Sequence, residues 1–220
     1  MVVRTAIFQQ MASRPMAHCA TLTVLPDGSL LAAWFAGAYE TAPDVAILAS
    51  RGSPVAVQWS WPTVIAEVPG HSLGQPVFLV RPAGELWLFF VVITGRDWTS
   101  AQPHWQRSPD QGRTWLPPEP LLDFPGLMFR SKPILISSRI ILPVYNENTW
   151  QSMMMISDDG GQSWRLTEPL TTPEGNIHPT VIQRADGSLL AYLRTGGEGG
   201  VIWRTESFDG GDTWTSPQPT

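Results

Sequence analysis

The sequence contains a single cysteine, Cys19, which excludes an intramolecular disulfide framework. Cys19 sits in the apolar run Cys19-Ala20-Thr21-Leu22 and reads as a buried, inert thiol rather than a nucleophile. Charge is also scarce. Asp, Glu, Lys and Arg make up 15% of the 220 residues, well below the ~25% usual for globular proteins. The net charge is −5 with no basic run, which excludes nucleic acid as an expected partner. No apolar stretch approaches the ~20 residues of a membrane-spanning helix. The opening MVVRTAIFQQ lacks the apolar core and small-residue cleavage site of a secretory signal. A soluble, cytoplasmic chain without a membrane partner is therefore expected. His18, His71, His104 and His178 are widely spaced and form no short paired motif, so no metal site is expected. Dinucleotide and phosphate-loop fingerprints are absent, and Gly196-Gly-Glu198-Gly-Gly200 has no helical pattern after it to bind an anion. No cofactor is expected. No segment sustains a 3.6-residue periodicity, so helices have little claim.

What the chain does have is turn chemistry and tryptophan: 21 Pro, 19 Gly and 11 Trp. That composition suits many short strands, with Trp recurring once per structural unit. Self-comparison finds the unit. Ser108 to Trp115, Ser157 to Trp164 and Ser207 to Trp214 all read S-x-D-x-G-x-[ST]-W, with first residues 49 and 50 positions apart. A degenerate fourth copy runs from Ser50-Arg51-Gly52 to Trp59 and has lost its Asp. Ahead of each copy lies a hairpin pattern: Leu25 to Phe35 (LPDGSLLAAWF), Arg81 to Val91, Ser137 to Tyr145 and Arg184 to Arg194 (RADGSLLAYLR). Asp-Gly between apolar runs is a strong short-range hairpin signal, because both turn positions favour φ > 0. A third element opens the units: His18-Cys-Ala-Thr, Gln75-Pro-Val-Phe, Lys132-Pro-Ile-Leu and His178-Pro-Thr-Val.

One unit is therefore four antiparallel strands with the box in the turn between the third and fourth, which is a β-propeller blade of about 50 residues. The expected fold is all-β: one propeller domain over 1–220, with units at about 14–68, 69–124, 125–172 and 173–220. In the box, Asp and Ser side chains bond turn amides while Gly takes φ > 0. Asp110, Asp159 and Asp209 are thus read as parts of a fold-stabilising turn, not as catalytic or metal-binding groups.

In an antiparallel meander, alternate connections fall at opposite ends of the strands. The boxes and first turns share one rim. The opposite rim collects the unit openings and the loops between second and third strands, and there the chemically unusual residues gather. They are Arg14, His18, Tyr39, Glu40 and Asp44, then His71, Gln75, Arg96, Asp97 and Trp98. The list continues with Arg130, Lys132, Tyr145, Asn146, Glu147 and Asn148, and closes with Asn176, His178, Arg194 and Glu198. Arg and Lys can fix a carboxylate, Trp98 can stack on a sugar face, and two acidic groups can divide acid and base roles. An acidic or polyhydroxylated sugar is the expected ligand class. A merely polar set of loops is the alternative for any one of these residues.

Leu30 to Arg51 (LLAAWFAGAYETAPDVAILASR) resembles a signature of the sialidase superfamily, in its branch of Asp-box or BNR-repeat sialidase-like proteins. Thr41 stands where that signature carries Gly. Lys132 to Glu147, His178 to Arg194 and the boxes resemble the same branch. The resemblance implies a glycoside hydrolase using a Tyr–Glu pair, an acid/base carboxylate and an arginine triad for the substrate carboxylate. Tyr145 and Glu147 match the pair, and Asp44 or Glu40 the acid. Arg194, Arg130, Arg96 and Arg14 form the clamp pool, with His18, His178, Gln75, Lys132 and Trp98 as further substrate-binding residues. Hydrolysis or elimination next to an acidic sugar is the expected reaction. A non-catalytic propeller that binds glycan or protein, or a truncated inactive member, is the alternative. A closed four-bladed ring is one option; sialidase propellers have six blades, so the resemblance implies instead that the four units here are part of an incomplete six-bladed propeller. Exposed blade edges would then offer a route to homo-oligomers.

Overall fold

The computed structural model describes residues 5–8, 11–53, 58–198 and 200–220. Residues 1–4, 9–10, the middle of the degenerate first box (54–57) and Gly199 of the glycine-rich loop lie outside them. The chain divides into two compact units, Met1–Asp123 and Phe124–Thr220.

The first unit holds two antiparallel sheets. One comprises β1 (Met16–Val24), β2 (Leu30–Gly37), β3 (Ala46–Ser53), β4 (Gln58–Trp59) and β5 (Thr63–Ala66), the last two both pairing with β3. The other is β6 (Ser72–Val80), β7 (Leu86–Ile93), β8 (Ala101–Ser108) and β9 (Glu119–Pro120). The second unit repeats the plan. Its first sheet is β10 (Leu127–Phe129) with β11 (Ile134–Ile136), then β12 (Arg139–Asn146), β13 (Gln151–Ser157) and β14 (Arg165–Leu166). Its second is β15 (Asn176–Gln183), β16 (Leu189–Thr195), β17 (Ile202–Ser207) and β18 (Gln218–Pro219). The fold is the expected all-β set of four antiparallel propeller blades. Among the described residues the one helical element is the 3-10 turn Trp98–Ser100, capped by the Asp97 carboxylate accepting from Thr99 N–H. Among the described residues no helix is long and apolar enough to cross a membrane.

Strand alternation puts one apolar face of each blade against its neighbour within the unit. Leu31, Ala33, Phe35, Ile47 and Ala49 meet Leu73, Phe78, Leu86, Leu88 and Phe90. In the second unit Ile141, Met154 and Ile156 meet Val181, Leu189, Ala191 and Leu193. Burying one such Phe, Leu or Ile stabilises the fold by about 1.5–3 kcal/mol. The opposite face of the first blade, with Trp34 and Leu48, is covered by Ile7, Phe8 and Met11, and Phe8 stacks on Trp34 at 5.2 Å between ring centroids.

The boxes are closed turns. Ser108, Ser157 and Ser207 each donate Oγ–H to the Asp two residues on (2.8, 2.9 and 2.8 Å). Each Ser Oγ also accepts the N–H of Gly112, Gly161 or Gly211. Those glycines have φ of 83°, 96° and 96°, a region that costs a side chain strain. Hydroxyl and amide donors of Thr114 and Thr213 hold Asp110 and Asp209 down to about 2, and Ser163 lowers Asp159 in the same way. The boxes at 108–115 and 207–214 are also strapped to the blade before them in their own unit. Arg51 donates to Ser29 Oγ and Gln111 O, and Arg113 lies 3.5 Å from Asp27. Arg139 joins Asp158 (2.6 Å) and Asp212 (3.1 Å), and Arg165 pairs with the same two carboxylates.

Candidate functional site

The rim opposite the boxes is shaped by a recurring bulge. In β1, β6 and β15 two residues face one on the partner strand, and the register shifts between His18 and Thr21, Gly74 and Val77, and Ile177 and Thr180. The first bulge residue is left-handed each time: Cys19 (φ 53°), Gln75 (φ 56°) and His178 (φ 53°). Non-glycine residues in that region store strain, and such residues concentrate at functional sites. Pro76 and Pro179 occupy the second bulge position, where no ladder donor is needed. In the third blade, Lys132-Pro133 fills the gap between β10 and β11. This geometry corrects the alignment of unit openings expected from the sequence. The counterpart of Gln75 and His178 is Cys19, not His18. Ala20 stands where the other units carry Pro, so the signal that would have set the register is missing in the first unit.

In the first unit the loop after β2 supplies the site. Glu40 is held from two sides. Trp98 Nε1–H donates to Oε1 at 3.1 Å, and His18 Nδ1 lies 3.5 Å from Oε2. The Glu40 side chain remains 45% exposed. Trp98 is positioned by packing: it meets Phe35 edge-on at 5.8 Å and lies so close to Gly74 that a Cβ there would approach its ring to 2.5 Å. Glycine is therefore required beside Gln75. Gln75 itself is buried, and its Oε1 has no partner among the described residues. Asp44 and Arg14 are engaged differently. Both Asp44 carboxylate oxygens accept Ala38 N–H at 3.2 Å, and Arg14 donates to the carbonyls of Ala36 and Asp44. These two brace the loop that presents Glu40. Arg96 is exposed and lines a cleft with Tyr39 and His71.

In the second unit His178 is the centre. Tyr145, a buried residue inside β12 rather than in the loop after it, packs edge-on against the imidazole at 5.1 Å. Burial first, and then the positive charges of Arg194 and Arg130, push His178 down to about 4. The ring is thus neutral at pH 7, with two guanidinium groups near enough to be felt. Arg194 is exposed at the end of β16, and Lys132 is exposed in the gap between β10 and β11. Glu147 is half-buried one residue beyond β12, with its N–H donating to Gly126 O. Asn146 and Asn176 are structural. Asn146 Oδ1 accepts the N–H of Asn148 at 2.7 Å, while Asn176 takes Ser152 N–H and donates to Leu170 O. Among the described residues no group of three His, Cys, Asp or Glu is placed to hold a metal ion.

Comparison with known proteins agrees with this architecture. A family model described as a BNR repeat-like domain matches residues 28–220. The anhydrosialidase of Macrobdella decora is 33% identical over 84 residues, covering 38% of this chain and 11% of that protein. Among solved structures, the NanB sialidase from Streptococcus pneumoniae superimposes with a TM-score of 0.82 at 13% identity, over 98% of this chain and 54% of that one. A leech intramolecular trans-sialidase complexed with 2,7-anhydro-Neu5Ac gives a TM-score of 0.81 at 16% identity, over 100% of this chain and 53% of that one. The fold is that of the sialidase β-propeller; the chain spans about half the length of these solved sialidases, and its matched segment covers about a tenth of the curated relative.

Proposed function

The chain belongs to the BNR repeat-like domain family, and from that premise we propose that it is a sialidase-like glycoside hydrolase acting on an acidic sugar. The observation that carries the reading is Glu40. It is an accessible carboxylate on the bulged rim whose orientation is set by an indole N–H and an imidazole while the loop beneath it is braced by Arg14 and Asp44. A carboxylate so fixed suits general acid–base catalysis on a glycosidic oxygen. Taken by itself, the second unit offers Arg130 and Arg194 as anion-holding groups. Their charges already bear on His178, which stays neutral and offers a hydrogen-bonding ring beside them. Within that unit Tyr145 and Glu147 are the candidate nucleophile–base pair. The relatives' names, anhydrosialidase and sialidase, support an acidic sugar as the substrate class.

One observation favours a second reading, glycan binding without turnover. Asp44, though exposed, has its carboxylate taken up by Ala38 N–H, which leaves Glu40 as the acid of that loop not bonded to the backbone. A screen of aryl glycosides of sialic acid, uronic acids and rhamnose at several pH values decides between the two. Turnover that disappears in Glu40→Gln supports the hydrolase. Saturable binding of the same sugars with no turnover selects the binding protein, and neither turnover nor binding sinks both.

A further inference from the structure

The two loops that build the Glu40 site present their alternate residues elsewhere. Glu40 and Trp98 meet each other. Tyr39, the residue before Glu40, and Arg96, two before Trp98, instead line a separate cleft of about 340 Å³ together with Thr41, His71, Ser72 and Thr94. That volume lies at the lower end of small-ligand sites. The chemistry of its walls is specific. Arg96 has no hydrogen-bond or ion-pair partner among the described residues and is exposed. Tyr39 is 62% exposed, so its ring is an open apolar platform beside that cation. The floor is polar and ordered. His71 is tied through Nδ1 to Ile93 O at 3.1 Å. A carbonyl can only accept, so Nδ1 is the donor, and in the neutral tautomer Nε2 is the acceptor. Ser72 is 3% exposed, and its Oγ has no partner among the described residues.

A free guanidinium, an aromatic face, an imidazole acceptor and a spare hydroxyl are what a sugar bearing a carboxylate requires. We propose that this cleft is a subsite for a second acidic sugar, adjoining the Glu40 site, so that the protein prefers glycans in which two acidic sugars are linked. Arg96 takes the carboxylate, Tyr39 packs on the ring, and His71 Nε2 accepts from a ring hydroxyl. The preference for linked sugars rests on the acidic-sugar reading above; the cleft's affinity for a sugar acid does not.

Two measurements test it. In calorimetry with α2,8-disialyllactose and 3′-sialyllactose, the disialyl ligand is expected to bind at least tenfold more tightly, and Arg96→Ala is expected to erase the difference. In NMR, free glucuronate is expected to shift the His71 ring resonances in the wild-type protein and not in Arg96→Ala, whose retained β-sheet spectrum shows that it folds. A shift with glucuronate in a protein that neither binds nor turns over sialosides keeps the subsite and removes the sialidase reading. Equal affinity for the two sialosides, or a tenfold preference that survives Arg96→Ala, overturns the preference for linked acidic sugars. The absence of any glucuronate shift at His71 overturns the subsite.

Discussion

The two units use the same bulged strand to present opposite chemistry. In the first, the rim places a carboxylate in company: Glu40 beside His18 and the Trp98 N–H. In the second, it places a neutral imidazole among cations, with His178 depressed by burial and by Arg194 and Arg130. Their backbones correspond closely, down to φ values of 56° and 53° at Gln75 and His178. The difference is carried by the loop after the second strand and by the strand ends. The blade is a conserved geometry within this molecule, and function is added at positions the blade does not need.

The largest way to break the comparison is Glu40→Gln. As general acid, Glu40 should be worth about 10²–10⁴-fold in kcat, so the variant should lose that activity while its Tm stays within a degree or two of wild type. An equal loss from Asp44→Asn would instead make the bracing carboxylate the acid. Next come paired substitutions on the structural rim. A Cβ on Gly112 would meet Leu31 at 3.0 Å and Leu86 at 3.3 Å, and one on Gly211 would meet Ile141 at 3.0 Å and Leu189 at 3.3 Å. With both glycines at positive φ, each change to Ala should cost about 1–3 kcal/mol in urea unfolding. Similar losses at the two positions would show that the boxes do the same work in both units.

Arg194→Ala should weaken binding of an acidic sugar by about tenfold, as expected for losing one charge-assisted contact, and should leave a neutral sugar unaffected. The smallest effect is on pH dependence. His178 titrates at an ordinary 6.5 when unfolded and at about 4 when folded, so the unfolded chain binds the proton first. Stability is therefore fully present above pH 6.5 and is lost as pH falls from 6.5 towards 4. Asp110 and Asp209, lowered from 3.8 to about 2, continue the loss in the window below 3.8. Replacing His178 by Gln should flatten the Tm profile between pH 6.5 and 4 and leave the more acidic step in place.

Much of the fold is legible in the sequence because turn chemistry is local. Ser157, Asp159, Gly161 and Ser163 bond one another within seven residues, so the box announces itself wherever it occurs. The hairpins at Asp27-Gly28 and Asp186-Gly187 are equally short-range; in each, the Asp carboxylate takes the N–H of the Ser two residues on. The candidate rim follows from counting strands. The straps between blades do not: Arg139 reaches Asp212 across 73 residues, and no local pattern marks the pair.

Thus the sequence by itself determined four blades and their boxes, since each depends on neighbours a few residues away, and it offered Glu40, Tyr145, His178 and Arg194 as candidates. Only the tertiary structure decided what those residues are able to do. It set Cys19 rather than His18 at the strained bulge, made Arg14 and Asp44 braces of one loop, and joined Glu40 to Trp98 across 58 residues. It also surrounded His178 with charge. Protonation and orientation are set by which distant groups packing brings together, and one-dimensional spacing carries no record of that.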